Sequence, residues 1–410
     1  MSCQNLVRWV CAGMLAAGGM AVGAEDAVWR RHAIDDSLRG ADGVKLADVN
    51  QDQLPDITVG WEESGAVRIY LHPGVERVTE HWPACEVGKA PSVEDAVWVD
   101  LNQDGRVDVL ASCEGSEQSL QAFFASADQL LKPQSWQAGR IPAAEKLTRW
   151  MFGLPVPNAH RPDYVVVGSK SPNGMVGLLT WEDASKINTY QVHKLADAQW
   201  IMSLINLDVD RDGDLDIVYS DRKGNKSGVY WLENPGEGKY SWAQWLIGGS
   251  GREVMFMHLV PATRADAGEA SPRHQLVVAT KPHEIMWLRE GRDCHQVWEI
   301  DTIPVQPVDR IGHAKAVAVG DLTGDGQLEL VFSCEGATPP LSGVVMLAHS
   351  EKDSSWNMRD ISGPVGIKFD LLELIDLDQD GDLDVLTCEE RHMDRGLGVI
   401  WYENPAVSTP

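Results

Sequence analysis

Five aspartates share nine residues in the stretch DVDRDGDLD, from Asp208 to Asp216, with a single glycine in the middle. Carboxylates set this close repel one another unless a cation lies between them. Acids at the first, third, fifth and ninth positions of a tight loop, with glycine at the sixth, offer hard oxygen ligands at a spacing suited to Ca²⁺. The glycine permits the sharp turn, and the seventh position can add a backbone carbonyl. Magnesium prefers fewer protein ligands and more water, so calcium is the expected ion. The obvious competitor is the EF-hand, which requires Glu at the twelfth position. Here that position holds Val59, Ala111, Tyr219, Phe332 and Thr387 in the five copies of the loop, so the EF-hand is excluded.

The other copies are DVNQDQLPD (Asp48 to Asp56), DLNQDGRVD (Asp100 to Asp108), DLTGDGQLE (Asp321 to Glu329) and DLDQDGDLD (Asp376 to Asp384). Their starts are 52, 108, 113 and 55 residues apart, two single periods and two double ones, which implies seven units with the acids lost from the third and fifth. A second marker gives the same count without using any aspartate. An aromatic residue followed five places later by Ile, Leu or Val occurs at Trp29, Trp82, Trp136, Tyr190, Trp242, Trp298 and Trp356. Short β-rich runs such as KAVAVG, ELVFS and GVVMLA lie between the markers, bounded by Gly, Pro, Asn and Asp, and no stretch sustains a helical period. Each unit therefore reads as four short strands, one blade of a propeller. The last unit stops one strand short, while WRRHAI at Trp29 precedes the first loop with no blade of its own. The expected fold is all-β, a seven-bladed β-propeller of four-stranded blades whose ring is closed by the N-terminal strand completing the last blade, which leaves no free sheet edge.

The loop D-x-[DN]-x-D-G-x-x-D between two strands, repeated at this period, resembles the FG-GAP/VCBS repeats of secreted bacterial propellers and of the integrin α-chain head. The resemblance implies calcium at Asp100, Asn102, Asp104 and Asp108; at Asp208, Asp210, Asp212 and Asp216; and at Asp376, Asp378, Asp380 and Asp384. Two loops depart from the pattern and imply weaker sites. One is Asp321, Thr323, Asp325 and Glu329, with a hydroxyl at the third position and a longer acid at the ninth. The other is Asp48, Asn50, Asp52 and Asp56, where Gln53 stands in place of the glycine. In this fold the loops occupy the rim opposite the usual ligand face, so the ions are expected to be structural.

Residues 1–24 combine one positive charge at Arg8, an apolar run from Trp9 to about Val22, and small residues ending at Ala24. That is the pattern of a secretory signal peptide cut near Ala24, and the apolar run is shorter than the roughly 20 residues a bilayer requires. The expected organisation is a signal peptide followed by one propeller domain, 25–410, secreted or periplasmic. The formal charge of −26 argues against nucleic acid as a partner, and the sequence shows no membrane-inserting segment. Cys85, Cys113, Cys294, Cys334 and Cys388 remain after the leader, odd in number, widely spaced and without a CxxC, and read as small buried hydrophobes.

If the calcium loops mark one face, the residues just after each second strand mark the other. These are Trp61, Glu62 and Glu63, then Glu114, Lys170, Asp221 and Arg222, Lys281 with His283, Glu335, and Glu389 and Glu390. Trp61 is expected to be exposed there, with the charged groups converging on a central funnel. No HExxH, no GxSxG in a strand–turn–helix context, no phosphate loop and no Cys-rich metal site occurs. The expected function is recognition of a polar ligand, a saccharide or a protein partner, on that face. The alternative is a carbohydrate-active enzyme of the polysaccharide lyase or dehydratase type with acid and base residues in the funnel. The polar insertion from Ala262 to His274 is a candidate contact loop, with an ordinary variable loop the more economical reading.

Overall fold

The computed structural model describes residues 28–127, 129–156, 164–236, 238–261, 273–350, 352–390 and 396–405. Residues 1–24, read above as a signal peptide, the acid-poor loops near 157–163 and 262–272, and residues 391–395 lie outside them. Seven antiparallel four-stranded sheets form the blades of a β-propeller. Helical elements among the described residues are single 3₁₀ turns such as Val75–Arg77, and no helix there is long and apolar enough to cross a membrane.

The first strands of successive blades pack against one another around the axis: Ala41–Ala47, Val93–Val99, Arg149–Pro155, Ile201–Leu207, Val254–Leu259, His313–Gly320 and Phe369–Ile375. The second strands, such as Asp56–Trp61, Asp108–Cys113, Asp216–Asp221 and Asp384–Glu389, are buried along their whole length. Blades cover them on both faces, which explains why their sequences run as continuous apolar stretches rather than alternating ones. The acidic loops join first to second strands at one end of the ring. The four described cysteines other than Cys294 are buried, and all five are free thiols.

The N-terminal strand Arg30–Asp35 is the outer strand of the last sheet, pairing with Gly398–Glu403 from Arg30 opposite Glu403 to Asp35 opposite Val399. Its end is anchored in the first blade as well. The Asp35 carboxylate accepts hydrogen bonds from Arg68 Nη1 at 2.6 Å and from the Tyr70 hydroxyl at 2.8 Å. The N-terminal strand is thus tied to the last blade through the sheet ladder and to the first blade through side chains.

Candidate functional site

Counting from the first aspartate of each loop as position one, the fifteenth position falls at or just past the end of the second strand, and it is ionisable in all five loops. Structural equivalence extends the set to the two acid-poor blades, giving Glu62, Glu114, Lys170, Arg222, Lys281, Glu335 and Glu390 around the ring. Acids come from blades six, seven, one and two, and bases from blades three, four and five. The charge of this mouth is therefore split into an acidic and a basic half.

The preceding position points the other way, because side chains alternate along a strand. It corrects three of the sequence expectations. Trp61 is fully buried rather than exposed, and its Nε1 donates to the Tyr70 hydroxyl at 2.9 Å. Asp221 is buried, and its carboxylate accepts the backbone N–H groups of Gln199 at 2.9 Å and Trp200 at 2.8 Å. Glu389 is buried too, accepting the N–H groups of Ile367 at 2.9 Å, Lys368 at 3.1 Å and Leu397 at 2.7 Å. Both acids fasten inter-blade turns and are spent on the backbone. Glu63 is exposed and packs over Gly40, and His283 lies against His313 with ring centroids 5.2 Å apart, so neither lines the cavity described below.

Beneath the ring every first strand breaks register at its funnel end, for example between Val93 and Asp95, Trp150 and Phe152, and Ala314 and Ala316. A β-bulge re-aims a side chain, and these bring Asp42, Glu94, Met151, Met202, Lys315 and Asp370 to the wall of a central cavity of about 310 Å³. Glu62, Glu114, Lys170, Arg222, Glu335 and Glu390 line it from above. Phe152 and Phe256 complete an apolar side opposite the acids.

Two carboxyl groups at the floor differ in protonation. Burial raises Asp42 well above the usual carboxylate range, and the neighbouring Asp370 and Glu390 push it further. Burial pushes Asp370 up as well, but Lys315 and a hydrogen bond from Asp42 outweigh it and hold Asp370 at about 2. Lys315 Nζ lies 2.8 Å from Asp370 Oδ1 and 3.4 Å from Glu390 Oε1. Burial disfavours its charge, yet the Asp370, Glu390 and Glu335 carboxylates keep it protonated. Glu94 is likewise raised, by burial and by Glu114 and Glu62 against the opposing pull of Lys170. The floor therefore offers protonated and ionised carboxyls side by side, the arrangement acid–base chemistry requires.

A second pocket of about 440 Å³ opens at the mouth and shares Glu114, Lys170 and Trp200 with the first. Trp200 is flanked by two cations, with Lys170 Nζ 4.5 Å and Arg222 Cζ 4.6 Å from its ring centroid. Most mouth bases have acidic partners. Lys170 pairs with Glu114, Arg222 with Glu253 at 2.7 Å, and Lys281 with Glu335 and, at 3.8 Å, with Glu253. Lys281 thus belongs to the rim rather than to the lining.

At the opposite end, the fourth position of all five acidic loops is left-handed: Gln51, Gln103, Arg211, Gly324 and Gln379 have φ between 58° and 72°. Gln53 keeps the turn that glycine makes elsewhere, at φ 70°, and takes on the cost of a left-handed non-glycine residue. The ninth-position aspartates fasten the blade. Asp216, for instance, accepts the N–H groups of Val209 at 2.9 Å and Asn234 at 2.8 Å. Asp56, Asp108 and Asp384 make the equivalent pairs of bonds. Burial raises Asp216 to about 7 and Asp384 to about 8, with neighbouring aspartates adding to both.

The first-position acids divide the loops in a way their sequences do not. One carboxylate oxygen each of Asp208, Asp321 and Asp376 is buried without a hydrogen-bond partner. In contrast, both oxygens of Asp48 and of Asp100 accept backbone N–H groups at 3.0 to 3.1 Å. The carboxylates of Asp208, Asp210 and Asp216, and of Asp376, Asp378 and Asp384, converge within 4.8 Å. This donor set fits a hard divalent cation.

Asp42, Glu94, Lys315 and Asp370 were not among the residues expected at the funnel. Their signal is a charged residue six places before an acidic loop, near the start of a mainly apolar strand. Reading strands as strict alternation hides it, because the bulge is what turns these residues toward the axis. Among known proteins, a family model described as FG-GAP-like repeat matches residues 48–111, from the first acidic loop into the second strand of the second blade. No curated protein matches the chain. The chain is a seven-bladed β-propeller that carries an FG-GAP-like repeat.

Proposed function

We propose that this is an exported, calcium-clipped propeller that binds a saccharide in its central funnel, on the face opposite the acidic loops. The observation that carries this reading is the ionisable ring above the bulge ring. Fixed donors and acceptors surround a concave space whose other side is formed by Met151, Met202, Phe152 and Phe256. Apolar contact with a few placed polar groups is the usual make-up of a small-ligand site. Concavity favours a sugar chain over a flat protein surface. Calcium at the loops would hold the ring in shape, and Asp208, Asp321 and Asp376 offer the oxygens best placed to take it. Export through residues 1–24 would place the protein where calcium is plentiful.

A second reading, a carbohydrate-active enzyme of the lyase or dehydratase type, is favoured by the unequal protonation of Asp42 and Asp370. In such an elimination an ionised funnel carboxylate takes a proton from carbon and the C–O bond breaks. Protonated Asp42 then supplies the proton to the departing oxygen.

Titration calorimetry with acidic and neutral oligosaccharides tests the first reading. Binding should weaken about tenfold or more in Glu114→Gln and in Arg222→Ala, which lose charge-assisted hydrogen bonds. Failure of any sugar to bind overturns it. On the same panel, ultraviolet absorbance and reducing ends report elimination. A product that Asp42→Asn abolishes supports the enzyme, and binding without product removes it.

A further inference from the structure

Arg149 opens the first strand of the third blade directly opposite Lys170, its cross-strand partner. Like charges placed opposite each other on an antiparallel pair destabilise it. Lys170 is relieved by Glu114 and by Glu94, whose Oε1 lies 3.7 Å away. Arg149 is exposed and lines the 440 Å³ mouth pocket, and its guanidinium has no ion pair or hydrogen bond among the described residues. In a chain with 61 acidic and 35 basic residues, a guanidinium left unanswered inside a pocket is conspicuous. It belongs to the basic half of the mouth, next to Lys170 and Arg222, and Trp200 holds both of those cations in place. Ser171 and Gln199, whose hydroxyl and amide oxygen are hydrogen-bonded at 2.9 Å, line the same pocket with the Glu114 carboxylate.

We infer that the mouth pocket is a subsite for a sugar acid: Arg149 takes the carboxylate of a uronate ring in bidentate fashion, while Glu114, Ser171 and Gln199 meet its hydroxyls. This rests on the saccharide reading above and specifies the class of sugar. A guanidinium matches a carboxylate in shape as well as charge, which an ammonium does not. The acids on the far side of the funnel fix the orientation, since they would repel the carboxylate and accept from hydroxyl groups.

The test compares a uronate trisaccharide with the neutral hexose trisaccharide of the same linkage by titration calorimetry, on the full mature chain. The uronate should bind about tenfold or more tightly, the range of a charge-assisted pair of hydrogen bonds, and less so as salt is raised. Arg149→Ala should remove the preference and leave neutral-sugar affinity within about twofold, and Arg149→Lys should restore only part of it. Unchanged circular dichroism would show that these exposed-site variants fold. Equal affinity for the two sugars, or a preference that survives Arg149→Ala, overturns the subsite while leaving the saccharide reading standing. Absence of binding to both sugars overturns the two together.

Discussion

Lys315 is surrounded by Asp370, Glu390, Glu335 and the protonated Asp42, so its ammonium is the centre on which the funnel floor is built. Asp370 is depressed to about 2 from an ordinary 3.8, so its ion pair stabilises the fold above about pH 4 and is lost as pH falls toward 2. Asp42 has the opposite sign. Its raised value contributes stability that is present at low pH and lost as pH climbs through that value. Lys315→Met leaves Asp370 buried without its ion pair and Glu390 paired with Lys368 alone, and should cost about 3–5 kcal/mol near neutral pH. With the ammonium gone, Asp370 titrates upward, so the penalty in urea unfolding should be smaller at about pH 5 than at about pH 8. A penalty independent of pH would show that Asp370 is not held ionised by Lys315. Trp61 and Glu62 illustrate how finely the mouth is specified. Neighbours in sequence, one fills the core between blades and the other faces the funnel.

At the scale of the element, the acidic loop does two jobs that its composition alone does not separate. The ninth-position aspartate staples the first-to-second-strand turn to the end of the third strand through two backbone N–H groups. The first-position acid either spends both oxygens on the loop, as Asp48 and Asp100 do, or keeps one unpartnered, as Asp208, Asp321 and Asp376 do. Chelation should therefore lower Tm, since an ion present at 100 times its Kd adds about 2.7 kcal/mol per site. Asp208→Asn or Asp376→Asn should reduce the calcium-dependent part of Tm, whereas Asp100→Asn should reduce it less. Equal losses at Asp100 and Asp208 would contradict the distinction, and a Tm indifferent to chelation would contradict calcium clips altogether. The loop DVDRDGDLD has one further attachment. Arg211 reaches to the fifth blade and grips Glu290 with both terminal guanidinium nitrogens, at 2.8 and 2.6 Å, linking neighbouring blades at the rim of the acidic loops.

Over the whole molecule, Arg30–Asp35 completes the last blade to four strands like the other six and covers Gly398–Glu403. Deleting residues 28–36 would expose Gly398–Glu403 as an open edge and strand Arg68 and Tyr70 without Asp35. That variant should melt at a markedly lower temperature and elute as higher-order species, since an unpaired edge recruits other chains. A monomeric variant with unchanged Tm would show that closure contributes nothing. The same closed geometry makes one funnel out of seven bulges, each too slight to form a site alone.

How much of this was legible follows from which physical signal each feature leaves. Repetition is a sequence property. The five acidic loops, the seven aromatic markers and the displaced N-terminal strand determined the blade count, the four-stranded unit and the manner of closure. The ionisable residue past each second strand was legible too, as at Glu62, Glu114, Lys170, Arg222, Glu335 and Glu390. Facing was not. Trp61, Asp221 and Glu389 lie one residue earlier, and whether a polar side chain meets solvent or two backbone N–H groups depends on neighbouring turns brought close only by the fold. Asp42, Glu94, Lys315 and Asp370 were hidden for a related reason, because a bulge displaces the strand's alternation locally. Their protonation is more remote still, since it arises from burial and from charges contributed by separate blades. That convergence exists only once the ring has closed.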